Sequence, residues 1–149
     1  MNKTSYLKPE IIAIALFNVA IHIAVAGNLG FHRDEMLYFV QGMHPAAGYD
    51  SVPPLSGLLA WVVQNLFGYS VYAVRLLPAL ASGLMVFLVA AIAKEMGGSR
   101  YAAFVAVVGF ITAGFSLRAY SMYQPVFIDV TFWTIIFYIL VKYLNTGNY

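Results

Sequence analysis

Long apolar runs separated by short charged turns set the pattern of this chain. A helix that crosses a bilayer needs about 20 mostly apolar residues. Four runs come near that length: Ile11 to Leu29, Val71 to Ala93, Tyr101 to Leu117, and Val126 to Val141 with its helix carried on to residue 144. The second and third are joined by "KEMGGSR", whose charges and paired glycines read as a hairpin outside the membrane. In the first run Asn18 and His22 lie four residues apart on one helical face, which predicts that this face packs against other helices rather than lipid.

Between the first two runs, over residues 30–70, the pattern changes. "RDEMLYFVQGM" interleaves Met36, Leu37, Phe39, Val40 and Met43 with polar positions and has Gly42 near its end, the mark of a short helix lying in the membrane interface. Leu55 to Phe67 is also apolar, but it makes only about 20 Å of helix against a hydrocarbon core of about 30 Å. Its Leu55, Leu58, Leu59, Val62 and Leu66 share one face while Gly57, Gln64 and Gly68 fall on the other, so it too is expected in the interface. "VPP" at 52–54 starts it, because proline suits a first helical turn. The expected architecture is an all-α integral membrane protein: about four transmembrane helices, with two interfacial helices in the first outer loop.

Composition narrows the function classes. Only 9% of the 149 residues are charged and 62% are hydrophobic, with a mean hydropathy of +0.79, far from a soluble domain with roughly a quarter charged. The net charge of +2 comes from scattered Lys and Arg, which leaves no stripe for nucleic acid. With no Cys, disulfides, Cys-ligated zinc and thiol catalysis are excluded. The basic start "MNKTSYLKPE" before the first run reads as a retained signal anchor, with cleavage after Ala26 as the alternative. Four crossings put both ends on one side, which then holds Lys3, Lys8, Lys94, Arg100 and Lys142 against Arg33, Arg75 and Arg118 opposite. That asymmetry predicts both termini in the cytoplasm of a plasma-membrane protein. No internal repeat or linker divides the chain, so residues 1–149 read as one membrane domain.

The candidate chemistry lies in "GFHRDEMLYF", residues 30–39, which crowds ionisable groups just after the first run. Read from the residues alone, Asp34 and Glu35 are acids favoured at a helix N-terminus and Arg33 is a headgroup anchor. His32, His44 and Asp50 read as loop polarity, since no metal-ligand spacing accompanies them.

A wider stretch changes the weighting. "NLGFHRDEMLYFVQGMHPAAGYDSVPPLSGLLAWVVQNLFGYSVYAVRLLPAL", residues 28–80, contains in order Asp34-Glu35, Tyr49 with Pro53-Pro54, the Leu55 to Phe67 segment, and Arg75-Leu76 with Pro78. In that order and spacing it resembles the first outer loop of the GT-C superfamily glycosyltransferases that use polyprenyl-phosphate sugars. It is similar in particular to glycosyltransferase family 39 and its bacterial relatives, the protein O-mannosyltransferases and the lipid A aminoarabinose transferases. The chain departs from many relatives at Val52, where they carry Lys or Gln, and in length, which matches an N-terminal portion only. The resemblance implies sugar transfer from a polyprenyl-phosphate donor to an acceptor hydroxyl on the outer face, with Asp34 as general base and Glu35 beside it positioning the acceptor. It also implies an acid, Asp129, bordering the site at the start of the fourth span. The donor phosphate needs cations rather than an acid, which makes Arg118 and Arg75 its candidate partners and adds Tyr120 to the binding set. The same arginines would also serve as headgroup anchors. The expected partners are the lipid-linked donor, membrane lipid and further spans of a longer chain, with no cofactor and no metal. A small non-catalytic membrane protein that binds lipid-linked substrates or partner helices is the alternative. A transporter fragment is disfavoured by the lack of paired broken helices.

Overall fold

A computed structural model describes residues 9–28, 30–50 and 52–146. Every element among them is a helix: α1 (Pro9–Val25), α2 (Arg33–Met43), α3 (Pro54–Phe67), α4 (Val71–Glu95), α5 (Arg100–Thr112), α6 (Gly114–Ser121) and α7 (Pro125–Thr146). The chain is an all-α membrane protein. The N-terminal "MNKTSYLK", and Leu29 at the end of the first expected span, lie outside the described residues.

Helix α4 is the axis of the molecule, and α1, α5, α6 and α7 all pack on it. Helix α1 buries Ile11, Ala15, Asn18 and His22, a spacing that keeps one narrow face turned inward, so the polar pair avoids lipid as its position predicts. The two helices come close at Gly83, where a Cβ would run into Val19. A second contact layer joins Val86 and Ala90 of α4 to Val107 of α5 and to Ile11 and Ala15 of α1.

The ends of the helices fall into two groups. At one end Arg100, which opens α5, pairs with Glu10 of α1 at 3.0 Å, and Asn145 near the end of α7 donates to the Glu95 carbonyl that closes α4. At the other end Arg75 of α4 donates to the carbonyls of Ala26 and Gly30, just past α1. Helices α1, α4, α5–α6 and α7 therefore run alternately up and down.

Among the described residues two helices, α4 and α7, are long and apolar enough to cross a membrane, and α5 with α6 makes a third if the bent pair is one span. Helix α1 is apolar but short, at 17 residues or about 25 Å. The third run, expected as one helix from Tyr101 to Leu117, is broken by 61° at Ala113. The local cause is legible in the bonds: Thr112 turns its Oγ1 back onto the Val108 carbonyl at 2.7 Å, Ala113 is extended, and Gly114 restarts the helix.

Helices α2 and α3 lie side by side in opposite directions, with Phe39 opposite Gln64 and Gly42 opposite Ala60. The packed faces carry Phe39, Gln41 and Gly42 of α2 and Ser56, Gly57, Ala60, Val63 and Gln64 of α3, and Leu59, expected on the outward face, is half-buried against the core. Gln64 Nε2 donates to the Phe39 carbonyl at 2.6 Å, and the Tyr49 hydroxyl donates to the Gln41 carbonyl at 2.8 Å while its ring covers Gly57. Met36, Leu37 and Val40 of α2, and Leu55, Leu58, Val62 and Leu66 of α3, point away from the protein. Two amphipathic helices with their apolar faces outward suit an interface, where those faces can enter lipid.

Candidate active site

The site begins at the N-terminus of α2. His32 is its N-cap: its Nδ1 accepts from the Asp34 N–H at 3.3 Å, and its own N–H donates to Glu35 Oε2 at 2.8 Å. This reciprocal cap fixes the first turn, so the neighbouring carboxylates Asp34 and Glu35 are sent in different directions.

Glu35 points inward and is wholly buried. Arg75 holds it bidentately, Nε to Oε1 at 2.9 Å and Nη2 to Oε2 at 2.5 Å. The Tyr123 N–H adds a third donor, to Oε1 at 2.8 Å. Burial works against the charge of Glu35, but the Arg75 hydrogen bond, the His32 and Tyr123 N–H groups and the Arg75 charge outweigh it and hold its pKa below the ordinary 4.5. Because Arg75 also donates to Ala26 and Gly30, one ion pair ties together the end of α1, the start of α2, α4 and the turn before α7.

Tyr123 is the second tie. It is fully buried, and its hydroxyl donates to the Ser56 carbonyl in the first turn of α3. Burial pushes its phenol up, so it remains a donor. The interfacial pair α2–α3 is thereby clamped to the turn that joins α6 to α7.

Asp34 faces the other way. Its side chain is 40% exposed, with Arg33 Nε at 3.4 Å and Gln124 Nε2 at 3.5 Å as neighbours. An accessible carboxylate on a rigid helix start can take a proton from a hydroxyl, while the carboxylate beside it is fully committed to Arg75.

The remaining sequence candidates are spread around this centre. Arg118 is exposed on α6, its Nη1 at 3.8 Å from Met122 Sδ. Asp129 is exposed in the first turns of α7 and lines an apolar groove of about 470 Å³ with Pro53, Ser56, Phe132 and Trp133. Neither makes a hydrogen bond or ion pair with Asp34 among the described residues. Tyr120 sits in the interior, with its hydroxyl 3.3 Å from Thr131 Oγ1 and its ring edge-on to Phe110. His44 and Asp50 are exposed in the α2–α3 loop, and no cluster of metal-ligating residues occurs among the described residues.

The structure thus brings Arg75 to Glu35, with Asp34 turned away beside it, gives a capping role to His32, which reads in the sequence as loop polarity, and adds Tyr123 and Gln124 to the site. His32 stands three before a Glu, the spacing of a capping box, and could have been found. Tyr123 acts through its backbone N–H on a residue 88 positions away, for which a sequence carries no signal.

A family model described as dolichyl-phosphate-mannose-protein mannosyltransferase matches residues 51–149, most of the chain. The chain belongs to that family. It is accordingly a membrane protein of a glycosyltransferase family whose members take a lipid-linked sugar donor. No curated protein and no solved structure matches it. The matched segment of this mannosyltransferase family contains Arg75, Arg118, Tyr120 and Asp129 and begins after Asp34 and Glu35. What attaches the acid pair to it is geometry: Arg75 and Tyr123, both within the matched residues, hold Glu35.

Proposed function

We propose that the chain serves sugar transfer from a polyprenyl-phosphate donor to an acceptor hydroxyl at the outer face of the plasma membrane, with Asp34 as general base. The observation that carries this reading is the contrast within the acid pair: Glu35 is buried on Arg75, while Asp34 is left open on the same fixed turn. Attack at the anomeric carbon expels a phosphate that needs no acid, so the chemistry asks for one base and for cations near the leaving group.

In this reading Asp34 takes the proton of the acceptor hydroxyl as it attacks. Glu35 and Arg75 act as positioning residues, because each saturates the other and a cation already bonded to a carboxylate and two carbonyls has little left for phosphate. That leaves exposed Arg118 for the donor phosphate. Asp129, in its groove beside Pro53 and Ser56, receives polar groups of a substrate, and Tyr120 supports the helix pair behind it.

The test is Asp34→Asn in the full-length protein, assayed in membranes with a polyprenyl-phosphate mannose as donor probe. Loss of a general base lowers rate on the order of a hundredfold to ten-thousandfold. Loss of a helix-start acid costs at most about 1 kcal/mol of stability. Normal insertion with turnover gone supports the reading, whereas near-normal turnover removes Asp34 from the chemistry.

A further inference from the structure

The turn joining α6 to α7 reaches the site from a part of the chain far from it in sequence, and it is pinned three times. Ser121 Oγ lies 3.2 Å from His22 Nδ1 of α1, the Tyr123 N–H donates to Glu35, and the Tyr123 hydroxyl donates to the Ser56 carbonyl. Held this way, the next residue, Gln124, is half-buried and brings its Nε2 to 3.5 Å from Asp34 Oδ2. Only the NH₂ end of an amide is attracted to a carboxylate.

Asp34 has few other partners that could fix its side chain. Arg33 reaches Oδ1 at 3.4 Å, but the Arg33 side chain is 92% exposed and free to swing. His32 caps the helix through the Asp34 backbone, its ring 3.7 Å from Oδ2. Tyr38 feels the Asp34 charge from one turn on, behind a larger effect of burial. Glu35 and Arg75 are turned inward onto each other. Among the described residues Gln124 is the one polar side chain bonded to Asp34 that comes from a different, anchored element.

We propose that Gln124 is a positioning residue for Asp34. Its amide holds Oδ2 from the α6–α7 side, which selects one carboxylate orientation and leaves Oδ1 to the exposed Arg33 side chain, which can swing aside for an acceptor hydroxyl. A neutral donor does this without setting a fixed cation against the base. A base displaced by about 1 Å can lose on the order of a hundredfold in rate, so ordering one oxygen is enough to matter. The consequence for turnover rests on the reading of Asp34 as base; the contact itself does not.

The contact can be tested without substrate. The chain has only three aspartates, Asp34, Asp50 and Asp129, so protein labelled with ¹³C at the Asp carboxyls gives three signals, and Asp34→Asn identifies the first. Gln124→Leu removes the amide at similar size, and Gln124→Asn keeps it one methylene too short. At neutral pH both variants are expected to move the Asp34 signal and leave Asp50 and Asp129 in place. If Gln124→Leu misfolds and all three signals move, Gln124→Asn decides. In the full-length protein with polyprenyl-phosphate mannose, both variants are expected to lower kcat by roughly tenfold or more with KM for the donor unchanged. An unmoved Asp34 signal in the folded variants, or a raised KM with kcat intact, overturns the proposal. Normal turnover of Asp34→Asn would remove the function reading alone, while the carboxyl signals would still judge the contact.

Discussion

Asp34 and Glu35 are adjacent carboxylates in opposite surroundings, and the difference is made by what each one touches. Glu35 and Arg75 are 0% and 5% exposed, so removing one leaves the other as an uncompensated buried charge. Glu35→Ala is expected to cost about 3–5 kcal/mol, read as a lower unfolding temperature in detergent. Arg75→Lys should also destabilise, because an ammonium cannot reproduce the bidentate fork. The pair also sets a pH dependence. Since the folded pKa of Glu35 is depressed, its contribution is complete above the ordinary value of 4.5 and is lost as pH falls through the lower folded value. Unfolding temperature should therefore hold from neutral pH to about pH 5 and drop below 4.5, and Glu35→Gln should flatten that acid drop. At this scale the acids were legible as a pair of candidates. Their opposite surroundings were not, because the partner of Glu35 lies 40 positions along the chain.

The interfacial elements were legible almost to the residue. "RDEMLYFVQGM" is α2, and the segment from Leu55 to Phe67 is α3 with Pro54 added, since period and proline placement are local properties. The pairing of these helices depends on close approach at one glycine. A Cβ on Gly42 would stand 2.8 Å from Ala60 Cβ and 2.9 Å from the Trp61 backbone nitrogen, which cannot swing aside. Gly42→Val is expected to separate α2 from α3, destabilise by about 1–3 kcal/mol and expose Tyr49 to quenchers in fluorescence. Gly48→Ala, where a Cβ meets nothing within 4 Å, is the control and should be neutral. The third run shows where pattern reasoning stops. Its apolar content gave no sign of a break at Ala113, because the break depends on Thr112 bonding back to the turn before it and on where α6 finds its partners, such as His22.

Taken whole, the molecule has two distinct ends. One carries the Glu10–Arg100 and Glu95–Asn145 contacts, and the other carries the Glu35–Arg75 pair and both interfacial helices. The basic asymmetry predicts that the second end faces outward. Because the chain has no Cys, Ala47→Cys in the α2–α3 loop can be labelled alone. It should react with an impermeant maleimide in intact cells, and reaction only after permeabilisation would reverse the orientation. Reporters fused after Gly42 and after Gly68 should appear on the same side, because α3 has 14 residues, too few to cross the hydrocarbon core.

From the sequence alone follow the helical membrane class, the two amphipathic segments, the inward face of Asn18 and His22, and the neighbourhood in which chemistry was to be sought. Each is a matter of local period, length or composition, which the order of residues states directly. Only the tertiary structure decided that Glu35 closes on Arg75, that Tyr123 clamps two interfacial helices with one N–H and one hydroxyl, and that Asp34 stays open beside Gln124. Those choices depend on which distant groups the packing of α1, α4, α6 and α7 delivers to one end of the bundle. A buried charge accepts only a partner that arrives with the right geometry, and the periodicity of a segment does not record which partner that is.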